Sequence, residues 1–245
     1  MLTYLIPREE KFVRIFGSKF VENNKNNAVI MIYDFVDDKT YVHDLHDFIN
    51  VTVLPDYKNK LKTFTLGLIQ TEYFIDCSYM FQDCYYLLTV KDISNLNTEK
   101  TTNMSYMFAG CDLLTKIPEI GNLNLSQVND LSFMFGKCPE LKELPDLSKW
   151  DTSKVKSLTA MFTVCVKLES IPGMEKWDVS NVTNVSFLFN ECPRLIFPDI
   201  SNWNTSNFVD MSFMFKLCEN NLPDMSKWDL KNVKNLEGIF MATKM

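Results

Sequence analysis

Four sets of side chains in this sequence carry chemical potential. His43, Asp44, His46 and Asp47 put two imidazoles and two carboxylates within five residues. On a helix, the i,i+3 histidines would share a face and could start a metal site. A structural zinc needs four ligands, however, and nothing else converges on this pair, so the run reads as a solvated polar face. Seven cysteines, an odd number, contain no C-x-x-C pair. A carboxylate set comprises Asp92, Glu119, Asp146, Asp199 and Asp224, and an aromatic set comprises Tyr79, Tyr106, Phe133, Phe187 and Phe213. No nucleophile–base pair and no glycine-rich phosphate loop stands out, so no catalytic, cofactor or metal residue is assigned.

A repeat must position three of these sets. Met80-Phe81 recurs as Met107-Phe108, Met134-Phe135, Met161-Phe162, Leu188-Phe189, Met214-Phe215 and Ile239-Phe240, in steps of 27, 27, 27, 27, 26 and 25 residues. Three residues after each Phe stands Cys84, Cys111, Cys138, Cys165, Cys192 or Cys218, with Thr243 in the last copy. Cys77 fills the slot taken elsewhere by Met104, Leu131, Leu158, Val185, Met211 and Leu236. All seven thiols therefore read as small core hydrophobes in a reducing compartment.

The carboxylates form one column, with Gly173 as its exception. In a stacked sheet they lie ~4.8 Å apart and either face a basic partner or cap their own turns, with Lys149 or Lys227 three residues on. The rings form a second column, interrupted by Ala160 and Gly238. They stand five residues after the Val155-type position, ~140° around a helix. They either pack between units or form an exposed ridge. These ten residues are the candidate partner-binding positions.

Residues 141–165 show what one unit should be. Leu141, Leu144 and Leu147 surround Pro145, which a helix interior does not tolerate, so a short strand and turn are expected. Asp151-Thr152-Ser153 offers N-cap oxygens, and Asn97, Asn124, Asp178, Asn204 and Asp229 repeat that chemistry. Val155, Leu158, Met161, Phe162 and Cys165 then follow at helical offsets. One unit cannot bury such a face alone, but stacked copies can. The expected fold is α/β: a leucine-rich-repeat-type solenoid of short parallel strands and short helices over residues 61–245. A small α+β cap precedes it at residues 1–60. Within that cap the sequence predicts a strand, a polar turn at 22–27, a strand at 28–35 and a helix at 43–49, with a strand at 61–69 leading into the array.

The phrases LPDLSKWDTSKVKSLTAMFTVCVKLESIP and FPDISNWNTSNFVDMSFMFKLC resemble the BspA-like leucine-rich repeat family, from about residue 70 onward. The resemblance implies a leucine-rich-repeat solenoid and a non-enzymatic interaction or adhesion role.

Composition agrees with a folded interaction protein. The 245 residues carry 25 basic and 31 acidic side chains, a net charge of −6, and 46% are hydrophobic. Without clustered Lys and Arg, a nucleic-acid binder is not expected. No apolar stretch approaches the ~18 residues of a membrane span, so no membrane insertion is expected. The first residues have no basic n-region, which points to an intracellular scaffold or interaction module for a protein partner or larger assembly. A surface adhesin-like module is the alternative. The last unit, Phe240-Met241-Ala242-Thr243-Lys244-Met245, either caps the array or self-associates through its open end.

Overall fold

The computed structural model describes residues 1–7, 11–34, 39–54 and 63–243. The N-terminal part is a sheet of strands β1 (Leu2–Leu5), β3 (Ala28–Asp34), β4 (Lys39–Asp44), β6 (Thr63–Gln70) and β7 (Leu87–Val90), in the order β4-β3-β6-β1-β7. Strands β2 (Phe12–Arg14) and β5 (Phe48–Asn50) form a separate pair. Alternation sets the inner face: Leu2 and Tyr4 of β1, Ala28, Ile30 and Ile32 of β3, and Phe64 and Leu66 of β6 are buried. Tyr4 stacks on Phe64 at 5.2 Å between ring centroids.

Helix α1 (Ser18–Asn24) occupies the stretch read as a strand running into a polar turn. Phe16 and Phe20, four residues apart, both turn onto the first repeat, where they meet Phe81 and Phe74. The helix expected at 43–49 is instead the end of β4, a connection and β5. Pairing with β3 and β2 overrides the polar helical spacing there. The strands predicted at 28–35 and 61–69 are β3 and β6, with Phe35, Leu61 and Lys62 outside the described residues.

The expected α/β leucine-rich-repeat solenoid is not what forms. Every named strand pairs antiparallel, and the seven-residue α1 is the one α-helix among the described residues, the remaining helical segments being 3-10 turns of three residues each. The repeats hold turns where helices were expected, and their parallel contacts are isolated single-residue bridges. One set of bridges runs Asp76, Asn103, Asp130, Ser157, Asn184, Asp210, Asn235, one residue per repeat.

Hydrogen bonding explains the difference. Between Leu158 and Cys165 the N–H groups divide into two alternating sets, apart from Thr159 N, which donates to Ser157 Oγ. Those of Leu158, Ala160, Phe162 and Val164 donate to the next repeat, at the carbonyls of Asn184, Ser186, Leu188 and Asn190 (2.8–3.1 Å). Those of Met161, Thr163 and Cys165 close tight turns onto carbonyls three residues back. Ala160 and Val164 hold φ of 53° and 60°, outside helical space. A helix would keep all these donors within one segment and leave none to join neighbours.

The result is a stack of coils. Val155, Leu158, Met161, Cys165, Leu168, Ile171, Met174 and Trp177 are all buried, so the inward residue recurs essentially every third position, straight through Pro172. Phe16, Phe81, Phe108, Phe135, Phe162, Phe189, Phe215 and Phe240 form a continuous spine with ring centroids 5.1–6.1 Å apart. Beside it, Trp150, Trp177, Trp203 and Trp228 each donate the indole N–H to a carbonyl of the preceding coil (3.0–3.4 Å).

Bonding between coils runs both ways. Along the Leu158–Val164 side the N–H groups point to the later coil and the carbonyls to the earlier one. Elsewhere Lys156 N donates back to Asn129 O and Glu169 N to Lys142 O, at 2.9 and 2.8 Å. The carbonyls of the first coil are met by the N-terminal part, with Gly17 N donating to Met80 O and Asn24 Nδ2 to Asp76 O, both at 3.0 Å. Gly17 is needed for that approach, because a Cβ there would collide with the Tyr79 carbonyl.

Candidate interaction surface

Each coil is cornered by Asx turns, in which a side-chain oxygen accepts the N–H two residues on. In one coil Asp199, Asn204 and Asp210 serve Ser201, Ser206 and Ser212 at 3.1, 3.3 and 2.9 Å. The column predicted as helix caps does this at Asn97, Asn124, Asp151, Asp178, Asn204 and Asp229, so its capping chemistry is present without a helix.

The carboxylate column belongs largely to these corners. Asp146 accepts Ser148 N (2.9 Å) and the Ser148 hydroxyl (2.9 Å), and Asp224 accepts Ser226 N (2.9 Å). These bonds, the Ser N–H first, hold both carboxyls below the usual range; at Asp199 the Ser201 hydroxyl leads. Glu119 accepts a 2.6 Å bond from the Ser94 hydroxyl of the coil before, and Asp92 stands 3.8 Å from the terminal amine of Met1.

Lys149 and Lys227 reach Asn122 and Asn202 of the preceding coil. The exception at Gly173 has a steric reason. Its φ is +87°, and a Cβ would strike Ser148 N and the Asp146 carboxylate itself. The column is therefore interrupted where Asp146 fills the next coil's place. Asp199 and Asp224 share a cavity, a cleft of about 450 Å³ beside Ile196, Pro198 and Pro223. Ile196 is 71% exposed there; the run of apolar residues before Pro198 was its one sequence signal.

The aromatic column is more continuous. Tyr79, Tyr106 and Phe133 stack face to face at 4.9 and 4.7 Å, within 7° of parallel. After the break at Ala160, Phe187 and Phe213 stack at 4.8 Å. All five rings are half-buried: their faces cover one another and their edges meet solvent. All five residues hold φ of 56–62°, a left-handed conformation uncommon for bulky side chains. Lys19 of α1 lies 4.4 Å over Tyr79, and Lys216 lies 5.6 Å over Phe213.

All seven cysteines are buried and unpaired. Cys111, Cys138, Cys165, Cys192 and Cys218 each direct Sγ to the Phe carbonyl of the preceding coil at 3.0–3.2 Å, and the Thr243 hydroxyl makes the same bond to Phe215 O at 2.8 Å. The slot thus selects a small side chain with a donor, not merely a small one. Burial pushes the thiols up, to about 12 for Cys77 and Cys165.

His43 lies on β4 and His46 just beyond it, rings 6.2 Å apart, with His46 Nδ1 2.7 Å from Asp44 O. No group of three or more His, Cys, Asp or Glu side chains able to hold a metal occurs among the described residues. No helix among them is long and apolar enough to cross a membrane. A second cavity, about 650 Å³, opens where the sheet meets the first coil, between Met31, Ile69, Tyr73 and Leu96. Its walls come from distant parts of the chain, so no local motif announced it.

Stacked turn-built coils with matched surface columns define a repeat protein. A family model described as "Mycoplasma protein of unknown function, DUF285" matches residues 75–171 and again 167–245, and the chain belongs to that family. No curated protein and no solved structure matches it.

Proposed function

We propose that this chain is a non-enzymatic interaction module that presents the stripe Tyr79, Tyr106, Phe133, Phe187 and Phe213 to a protein partner. The left-handed backbone beneath those rings carries the reading. Gly238 occupies the same position at φ 57° and Ala160 at φ 53°, so the turn itself needs no ring. Five bulky residues are nonetheless kept in a conformation that costs about 1–3 kcal/mol each. Unusual backbone kept in register along a surface favours a role for the side chains it carries. The carboxylate column has a weaker claim, since Asp146, Asp199 and Asp224 are engaged by their own serines.

Affinity capture from the native cell tests this with three baits: wild type, Tyr106→Ser/Phe133→Ser, and Asp146→Asn. The ring variant should lose the captured partner while keeping its tryptophan fluorescence, and Asp146→Asn should keep it. Equal capture by all three baits overturns the stripe.

We further assign the module to the cell interior, a reading supported by seven buried, unpaired thiols. Protein from its native source, denatured without reductant, should titrate as seven thiols. A smaller number would favour the adhesin-like role that the BspA-like resemblance implies.

A further inference from the structure

The β3–β4 hairpin leaves one edge of the sheet open. All six residues of β4 are exposed, Tyr41 by 43% and Val42 by 61%, and no strand among the described residues pairs with its outer side. Open edges of β-prone sequence invite pairing, and proteins usually blunt them. Here only the ends of the strand, Lys39 and Asp44, carry charge.

The hydrogen-bond phase of that edge follows from the next strand over. Thr71 N donates to Asn27 O at 2.8 Å, one step beyond the Ala28–Gln70 pair. Antiparallel bonding alternates, so Val29 and Met31 bond toward β6 while Ile30 and Ile32 bond toward β4. Their partners on β4 are His43 and Tyr41. Thr40, Val42 and Asp44 consequently turn their N–H and C=O groups outward. The Asp44 carbonyl, which His46 Nδ1 touches at 2.7 Å and which keeps a second lone pair, points away from β3 as this phase requires.

We propose that β4 pairs antiparallel with β4 of a second copy of this chain, about a two-fold axis through Val42, joining two five-stranded sheets into one. A two-fold perpendicular to the sheet preserves faces, so a residue can oppose only one of its own parity. With Val42 opposite itself, Thr40 lies opposite Asp44 at both ends, hydroxyl to carboxylate, and Tyr41 opposite His43. The three outward residues pair completely, forming six main-chain hydrogen bonds. A slip of two residues sets Lys39 against His43 in one direction and His43 against itself in the other, and either loses one bonded pair. The strand is thus complementary to itself in one register, which favours a second copy over an unrelated peptide.

Sedimentation velocity of the full chain should show a concentration-dependent dimer. Val42→Pro removes an outward donor that β3 does not use, and edge strands tolerate proline there. Val42→Lys sets like charges on the axis. Each should weaken association at least tenfold with unchanged tryptophan fluorescence, whereas Thr40→Lys, opposite Asp44, should tighten it several-fold. Bonded antiparallel pairs have Cα atoms ~5.5 Å apart, within disulfide range. Val42→Cys should therefore cross-link to its own copy on mild oxidation, and His43→Cys should not. A monomer throughout, a dimer indifferent to both Val42→Pro and Val42→Lys, or a Val42→Cys chain that fails to cross-link overturns the pairing.

Discussion

Removing a ring from the middle of the phenylalanine spine should cost far more than removing the one farthest along it. Phe162 is fully buried between Phe135 at 5.7 Å and Phe189 at 6.0 Å. Phe162→Ala loses the whole transfer free energy of the side chain and leaves a cavity that stacked neighbours cannot collapse into, for a total of ~3–5 kcal/mol. Phe240 is 37% exposed and, among the described residues, stacks on the ring of Phe215 at 6.1 Å. Its truncation opens space to water, so only part of the transfer term is lost, on the order of 1–2 kcal/mol. A gap of ~2 kcal/mol is a factor of about 30 in the folded-to-unfolded ratio. Urea titration followed by tryptophan fluorescence measures both, and an unchanged slope keeps the comparison valid. Equal losses, or a larger loss at Phe240, would refute a spine whose rings are held mainly by being sandwiched.

Three further outcomes follow from the same coils. Gly173→Ala should lose at least about 2 kcal/mol, combining the left-handed backbone penalty of ~1 kcal/mol or more with the Asp146 and Ser148 collisions. Gly67→Ala, whose added methyl would meet Met31 at 3.6 Å, should stay within ~1 kcal/mol of wild type in the same titration. At the cysteine slot, Cys165→Ser should be about 1 kcal/mol more stable than Cys165→Ala, because a hydroxyl can still donate to Phe135 O as Thr243 does to Phe215 O. The reverse order would mean that the thiol contact contributes nothing.

Stability should also decline above pH ~9. The unfolded thiols ionise there while Cys77 and Cys165, raised to about 12, stay neutral. The folded state then binds more protons, and each thiol removes up to ~1.4 kcal/mol per pH unit until its folded value is passed. Melting temperatures that stay flat from pH 8 to 11 would contradict this.

Much of the core was legible because the repeat fixes register independently of conformation. Val155, Leu158, Met161, Phe162 and Cys165 are all buried, as the spacing required. Their conformation was not legible. Offsets of 0, 3, 6, 7 and 10 fit a helix of period 3.6 and also a coil that turns inward every third residue. Asp151-Thr152-Ser153 was equally ambiguous, since an Asx turn and a helix N-cap use the same oxygen. The deciding signal was the continuation of the three-residue rhythm through Leu168, Ile171 and Met174 across Pro172, where a helix would have broken.

The candidate surface divided in the same way. The ten column residues were visible by spacing. That the serines claim three of the carboxylates depends on turn geometry, and that the rings lie face to face depends on their left-handed backbone. The open edge at β4 was hidden because it depends on which strand lies beside which.

The repeated bonding between coils makes the molecule a ruler. Any interior coil receives the same groups from one neighbour and gives the same groups to the other, so whole units can be inserted or deleted without creating a new kind of joint. Each would change the length by roughly 4.8 Å, the spacing of hydrogen-bonded strands. A fractional unit would bring the buried rings and the turn corners out of register with their neighbours and be rejected. Gene duplication could therefore tune how far such a protein reaches, and how many ring edges it displays, while leaving the chemistry of each step untouched.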